Sequence, residues 1–278
     1  MNEPAILLDA VAFEYPRGPR ALDGIDLRVN AGERVAIVGQ NGSGKSTLVR
    51  QFNGLLRPTA GAVSINGRPT AGRHVAELAR EVGLAFQNPD RQIFAGTVRA
   101  EVAFGPRNLG LGPADRDAAV ERAIATVGLD GDEKTNPYDL GFSRRKLLAL
   151  ASILAMETPI VVLDEPTTGQ DARGVERIQQ IVADLSAAGR TVIAISHDMR
   201  FVAESFERVV VMREGRIVLD GTPTEAFAES AWPTLASTYL EPPLAARVGA
   251  RLGLGSVPTE AALVDALVAR SAADPRDR

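Results

Sequence analysis

Five short runs of β-branched and aliphatic residues, at 34–38, 82–86, 160–163, 191–195 and 209–212, recur along this chain with helical patterns between them. Each run is apolar at consecutive rather than alternate positions, which predicts strands covered on both faces and therefore a largely parallel sheet. Periodic segments at 45–52, 114–127, 143–155 and 175–187 supply the covering layers, so the expected class is α/β. The opening differs. Apolar stretches at 6–15, 27–29 and 63–65 are separated by Gly and Pro turns, as in a small antiparallel subdomain, and Glu214-Gly215 marks a second hairpin. After Leu240 the segment Glu241-Pro242-Pro243 reads as a boundary. Beyond it, Leu244, Val248 and Leu252, then Leu263, Val264, Leu267 and Val268, form two helical stripes. Helix spacing does not distinguish stripes that pack back on the main domain from stripes that bind a partner. The expected division is a main domain at 5–240 and a helical extension at 241–278 with a frayed end at 271–278.

Composition removes several classes. The 278 residues carry 31 basic and 35 acidic side chains, a net charge of −4, which argues against a nucleic-acid partner tracked through a positive field. There is no cysteine, hence no disulfide and no thiolate metal site. The start Met1-Asn2-Glu3-Pro4 does not resemble a secretory leader, and the longest apolar-rich stretch, 147–163, is interrupted by Glu157, Thr158 and Pro159. The expected compartment is the cytosol, with any membrane role exercised through a partner.

Between the run at 34–38 and the helix pattern at 45–52 lies Gly39-Gln40-Asn41-Gly42-Ser43-Gly44-Lys45-Ser46-Thr47, which fits G-x-x-x-x-G-K-[ST]. Glycines let the backbone wind tightly so that successive N–H groups point inward, and the helix N-terminus adds positive potential where phosphates sit. Lys45 is placed to reach the β- and γ-phosphates and Ser46 to ligate Mg²⁺. The competing reading, a glycine-rich turn that binds nothing, leaves the strand and helix flanks unexplained. The run at 160–163 ends in Asp164 and Glu165, where one carboxylate suits Mg²⁺ and the next suits an attacking water. Alternatively, the two acids merely end a strand. His197, one of two histidines, again follows a buried strand, where a γ-phosphate contact belongs; His74 has no such context.

With these residues the chain resembles the nucleotide-binding subunits of ABC transporters, from Ile6 to about Pro223. The resemblance implies a P-loop NTPase fold of the ABC type, with an antiparallel subdomain, a helical subdomain and ATP and Mg²⁺ as cofactors. It also implies a stacking role on adenine for Tyr15 and a role for Gln87 in linking Mg²⁺ and the attacking water to a transmembrane partner. Asp164 and Glu165 would be the Walker B pair and His197 the switch histidine. The stretch Phe86-Gln87-Asn88-Pro89-Asp90-Arg91-Gln92-Ile93-Phe94, with Glu101-Val102-Ala103-Phe104-Gly105-Pro106, is similar to the energy-coupling factor branch, which includes cobalt-type and vitamin-type importers. There, two ATPase subunits drive a transmembrane coupling protein that holds a substrate-capture membrane protein, so the expected location is peripheral, on the cytoplasmic face of the membrane. The tail beyond Leu240 is similar to the helical extension of such subunits.

One motif departs from the family. Leu140-Gly141-Phe142-Ser143-Arg144 stands where Leu-Ser-Gly-Gly-Gln is usual, and Thr168-Gly169-Gln170-Asp171 replaces Ser-Ala-Leu-Asp. In the family the first loop closes over the partner subunit's nucleotide, so the departure predicts a heterodimer with a second ATPase subunit that keeps the usual loop. Ser143 is expected to cap the helix that follows. Two other readings stay open: a regulatory subunit that binds ATP with little turnover, and a soluble ABC ATPase outside transport.

Overall fold

The computed structural model describes residues 3–273. Ten strands form two sheets. The first, antiparallel, has the order β2-β1-β4-β5, from β1 (Ile6–Glu14), β2 (Arg20–Val29), β4 (Ala60–Ile65) and the short β5 (Arg68–Pro69). The second has the order β10-β9-β3-β8-β7-β6. Its members are β3 (Arg34–Val38), β6 (Val82–Ala85), β7 (Ile160–Asp164), β8 (Thr191–Ile195), β9 (Arg208–Arg213) and β10 (Arg216–Gly221). Five of these run parallel, and β10 returns antiparallel along β9 through Glu214-Gly215, both at positive φ. The five apolar runs are therefore the parallel strands, each within one residue of its expected ends.

The helices are α1 (Lys45–Phe52), α2 (Val75–Leu78), α3 (Val98–Leu109), α4 (Pro113–Val127), α5 (Phe142–Leu154), α6 (Ala172–Ala187), α7 (Met199–Ser205), α8 (Pro223–Ala226), α9 (Trp232–Ala236), α10 (Leu244–Arg251) and α11 (Glu260–Ala273). Alternation along each parallel strand divides the core in two. Val35, Ile37, Ile193, Ile195, Val210 and Met212 face α1 and the antiparallel sheet. Ala36, Val38, Val161, Leu163, Ala194 and Val209 face α5, α6 and α7 on the other side. Helices α3, α4 and α5 pack on one another as a helical subdomain beside the edge strand β6.

The C-terminal helices leave much of their leucine and valine stripes exposed, a point on which helix spacing alone is silent. On α10 the buried face is Ala245, Ala246 and Gly249, while Leu244 and Leu252 of the expected stripe are exposed. The reason is close approach: a Cβ built on Gly249 would lie 2.0 Å from Val257 Cγ2, so small residues make this contact. Val264, Leu267 and Val268 of α11 are likewise exposed. Residues 271–273, expected to fray, continue α11, and 274–278 lie outside the described residues.

Candidate functional site

Strands β3, β8 and β7 are neighbours in the sheet and parallel, so their carboxyl ends deliver three loops to one edge. From β3 comes Gly39–Lys45, which runs into α1; from β7, Asp164 and Glu165; from β8, Ser196 and His197. This is where open α/β sheets place their ligands. Two glycines are obligatory here. Gly39 sits at φ 148° with its missing Cβ 2.2 Å from the Met212 carbonyl oxygen. Gly44 sits at φ 102°, where a Cβ would come within 2.5 Å of the Ala21 carbonyl oxygen. The loop is held from outside by the β9–β10 turn, whose Gly215 N–H donates to the Ser43 carbonyl at 3.0 Å.

A cleft of about 320 Å³ opens at this edge, lined by Tyr15, Asn41, Gly42, Gly44, Lys45, Ser46, Thr47, Gln87, Asp164 and Glu165. Gly39, Gln40 and Ser43 stand behind it and hold Lys45. The Lys45 ammonium donates to the carbonyl oxygens of Gly39 at 2.6 Å and Gln40 at 2.8 Å, and more weakly to Ser43 Oγ at 3.4 Å. Burial lowers the Lys45 pKa, and the nearby carboxylates of Glu165 and Asp164 oppose that shift. A buried cation resting on backbone carbonyls at the start of a helix can exchange those acceptors for phosphate oxygens.

Asp164 is buried at the end of β7, and its Oδ1 has no hydrogen-bond partner. Burial raises its pKa, and the Ser46 hydroxyl beside it works in the opposite direction. An orphaned carboxylate oxygen next to a hydroxyl and the amide of Gln87 is an all-oxygen donor set, the kind that suits Mg²⁺. Glu165 follows at φ 53°, a left-handed conformation rare for a non-glycine residue, with its N–H bonded to the Ile195 carbonyl at 2.9 Å. Its Oε2 lies 2.6 Å from His197 Nδ1 and 3.4 Å from the Thr168 hydroxyl. Two acids adjacent in sequence thus have different surroundings: one faces the P-loop helix, the other an imidazole. Tyr15 donates or accepts a 3.0 Å hydrogen bond with the Thr47 hydroxyl, and its ring meets Phe13 edge-on.

The loop that departs from the usual motif is occupied within its own chain. Helix α5 begins at Phe142 with Gly141 as its N-cap, so Ser143 does not cap it. Instead Ser143 Oγ donates to Gln170 Oε1 at 2.7 Å, and Gln170 Nε2 donates back to the Ser143 carbonyl at 3.1 Å. The Phe142 ring lies against Gly169, where an added Cβ would meet it at 2.7 Å. One turn further along α5, Lys146 is buried, with its ammonium on the carbonyls of Glu165 and Thr168. Burial pushes its pKa down to about 8, against the pull of Glu165 and Asp164. Lys146 was invisible as a site residue, because a lysine on a helix reads as solvent-facing until its carbonyl partners are known.

Comparisons with known proteins agree with this geometry. The family model described as ABC transporter matches residues 22–168. The energy-coupling factor transporter ATP-binding protein EcfA of Methanocaldococcus jannaschii is 45% identical over 219 residues, 78% of each chain. Among solved structures, cbiO1 of Clostridium perfringens, described as part of the ABC transporter complex cbiONQ, is 33% identical with a TM-score of 0.74. That alignment covers 84% of this chain and 95% of that one. An ATP-binding cassette solved as a dimer in a post-hydrolysis state with ADP and Pi is 26% identical, TM-score 0.72, over 78% of this chain and 98% of that one.

Proposed function

The chain belongs to the ABC transporter family of ATP-binding ATPase subunits, and from that premise we propose that it powers an energy-coupling factor type importer of a vitamin or a transition-metal ion. The convergence of the Gly39–Lys45 loop, Asp164, Glu165 and His197 on one sheet edge carries the hydrolytic part of this reading, and the likeness to EcfA and cbiO1 supports its branch. The main domain, 5–240, does the chemistry, and 241–278 is an appended extension.

Each group has a task that its surroundings support. Backbone N–H groups of the loop and the Lys45 ammonium bind the phosphates, while the Tyr15 ring, held by Thr47, offers adenine a stacking face. Asp164, Ser46 and Gln87 would hold Mg²⁺, which when bound neutralises charge on the phosphates. The Glu165 carboxylate orients a water and accepts its proton as the water oxygen attacks the γ-phosphorus. The bond to the bridging oxygen breaks, and ADP and phosphate leave. His197, bonded to Glu165, would contact the γ-phosphate once nucleotide is bound.

The working unit pairs this subunit with a second ATPase subunit, a transmembrane coupling protein and a substrate-capture membrane protein, on the cytoplasmic face. Among the described residues no helix is long and apolar enough to cross a membrane. The docking face is the exposed pair Phe94 and Phe104, whose rings meet edge-on at 4.6 Å. Ile93 and Val98, apolar neighbours in the same stretch, are core residues. The test is Glu165→Gln in the complex purified with its membrane partners. Nucleotide binding should persist while hydrolysis falls 10²- to 10⁴-fold, the usual contribution of a positioned base. Unchanged hydrolysis would remove Glu165 from this role, and a regulatory subunit would show no loss.

A further inference from the structure

The segment that carries Glu165 is not self-supporting. Its turn from Glu165 to Thr168 has one long backbone hydrogen bond, Thr168 N–H to the Glu165 carbonyl at 3.4 Å, and Glu165 itself sits at φ 53°. The carbonyls of residues 165 and 168 both accept from the Lys146 ammonium of α5, the former in addition to that long bond. The small cavity beside that ammonium is lined mostly by apolar side chains, among them Leu147, Leu150, Leu163 and Ile178, with Asp164 and Gln170 as its polar members. Without the cation, the Glu165 carbonyl would keep only the long Thr168 bond and the Thr168 carbonyl would lose the Lys146 donor, a loss large enough for the turn to shift. A buried lysine is itself expensive, and an apolar side chain of the same length would fill this space at less cost to folding. Its presence needs a reason beyond packing.

We propose that Lys146 is a positioning residue for hydrolysis: by gripping both ends of the 165–168 turn, it holds the Glu165 carboxylate at the height where it meets His197 and the attacking water. The proposal rests on the reading of Glu165 given above. Neighbouring contacts reinforce the same grip. Ser143 and Gln170 exchange two hydrogen bonds, and Phe142 lies on Gly169, so Phe142, Ser143 and Lys146, all in the first two turns of α5, fasten the segment 165–170. The two motif departures noted in the sequence are thus one contact, with each loop's unusual residues serving the other's. Because α5 belongs to the helical subdomain, a displacement of that subdomain moves Glu165 with it.

The experiment uses the full-length chain in its purified complex, with Lys146→Met as the first variant. Turnover should fall on the order of 10- to 100-fold, the effect of a misplacement near 1 Å, while ATP affinity, measured with a fluorescent ATP analogue, stays within about twofold. The decisive reading is the double variant: in the Glu165→Gln background, adding Lys146→Met should cost no further turnover, because Lys146 acts through the missing carboxylate. Equal loss in both backgrounds, joint loss of binding and turnover, or wild-type turnover of Lys146→Met would each overturn the proposal. If Lys146→Met does not fold, Lys146→Gln takes its place in the same assays, and failure of both to fold makes Lys146 a folding residue and overturns the proposal too. Should Glu165→Gln alone hydrolyse ATP normally, the reading of Glu165 is what falls.

Discussion

Phe94→Asp separates folding from docking. The Phe94 ring is 60% exposed, so it forfeits less than half of the roughly 1.5–3 kcal/mol that a fully buried phenylalanine contributes, about 1 kcal/mol. Its edge-on pair with Phe104 adds roughly 0.5–1.5 kcal/mol. The summed loss, about 2 kcal/mol, is small beside the roughly 5–15 kcal/mol that keeps a domain folded. At a membrane-partner interface the same ring would be a central aromatic anchor, worth on the order of 2 kcal/mol or more when truncated, and a buried unpaired carboxylate adds to that. Affinity for the coupling protein should therefore drop at least about 30-fold, with only a few degrees lost in melting temperature. The assay is co-purification from detergent-solubilised membranes beside thermal melting of the chain alone. Ile93→Asp is the control: Ile93 is 3% exposed and its variant should unfold. If Phe94→Asp unfolds as well, or if it co-purifies at wild-type yield, the docking face has been misplaced.

Lys45→Ala should weaken ATP binding on the order of 10- to 100-fold by removing charge-assisted phosphate contacts, measurable by titration with a fluorescent analogue; an unchanged Kd would contradict the P-loop reading. Gly39→Ala should destabilise the chain by several kcal/mol, since its Cβ has no room beside the Met212 carbonyl, and urea denaturation against wild type measures this. Lys146 is charged in both states below about pH 8, but between there and its ordinary 10.5 the unfolded chain alone keeps the proton. Wild type should accordingly gain stability relative to Lys146→Met as pH rises through that window, and a constant difference in urea midpoint would argue against the buried ammonium. In the proposed heterodimer, Glu165→Gln here should stop most turnover, whereas the matching change in the other ATPase should leave much of it; a fast homodimer lacking any second ATPase would defeat that arrangement.

The parallel sheet was legible because doubly covered strands leave unbroken apolar runs, and the P-loop because its glycines and lysine have few other uses. What escaped the sequence depended on partners distant along the chain. Ser143 looked like a cap since serine before a helix generally is one, yet the helix begins a residue earlier and Gln170 takes the hydroxyl. Ile93 and Phe94 are equally apolar, and only the packing of α3 and α5 buries one and leaves the other outside. On α10, leucine and valine spacing does not reveal the covered face, because the contact with Val257 selects for smallness rather than hydrophobicity. The separate surroundings of Asp164 and Glu165 follow from a strained φ that no pattern encodes.

The strand order has a consequence for the chain while it is being made. Strand β3, whose end forms the phosphate loop, hydrogen-bonds only to β8 and β9 within its sheet, and these come about 150 residues later. At roughly 5–20 residues per second, Arg34–Val38 waits some 10–30 s for its first strand partner. During that interval an apolar strand with two open edges exists on the ribosome, exposed to wrong pairing. The phosphate loop also lacks its outer support until residue 215 is made, since the Gly215 N–H is what holds the Ser43 carbonyl. The order of synthesis therefore leaves the phosphate loop without its strand and turn partners until about three quarters of the chain has been made.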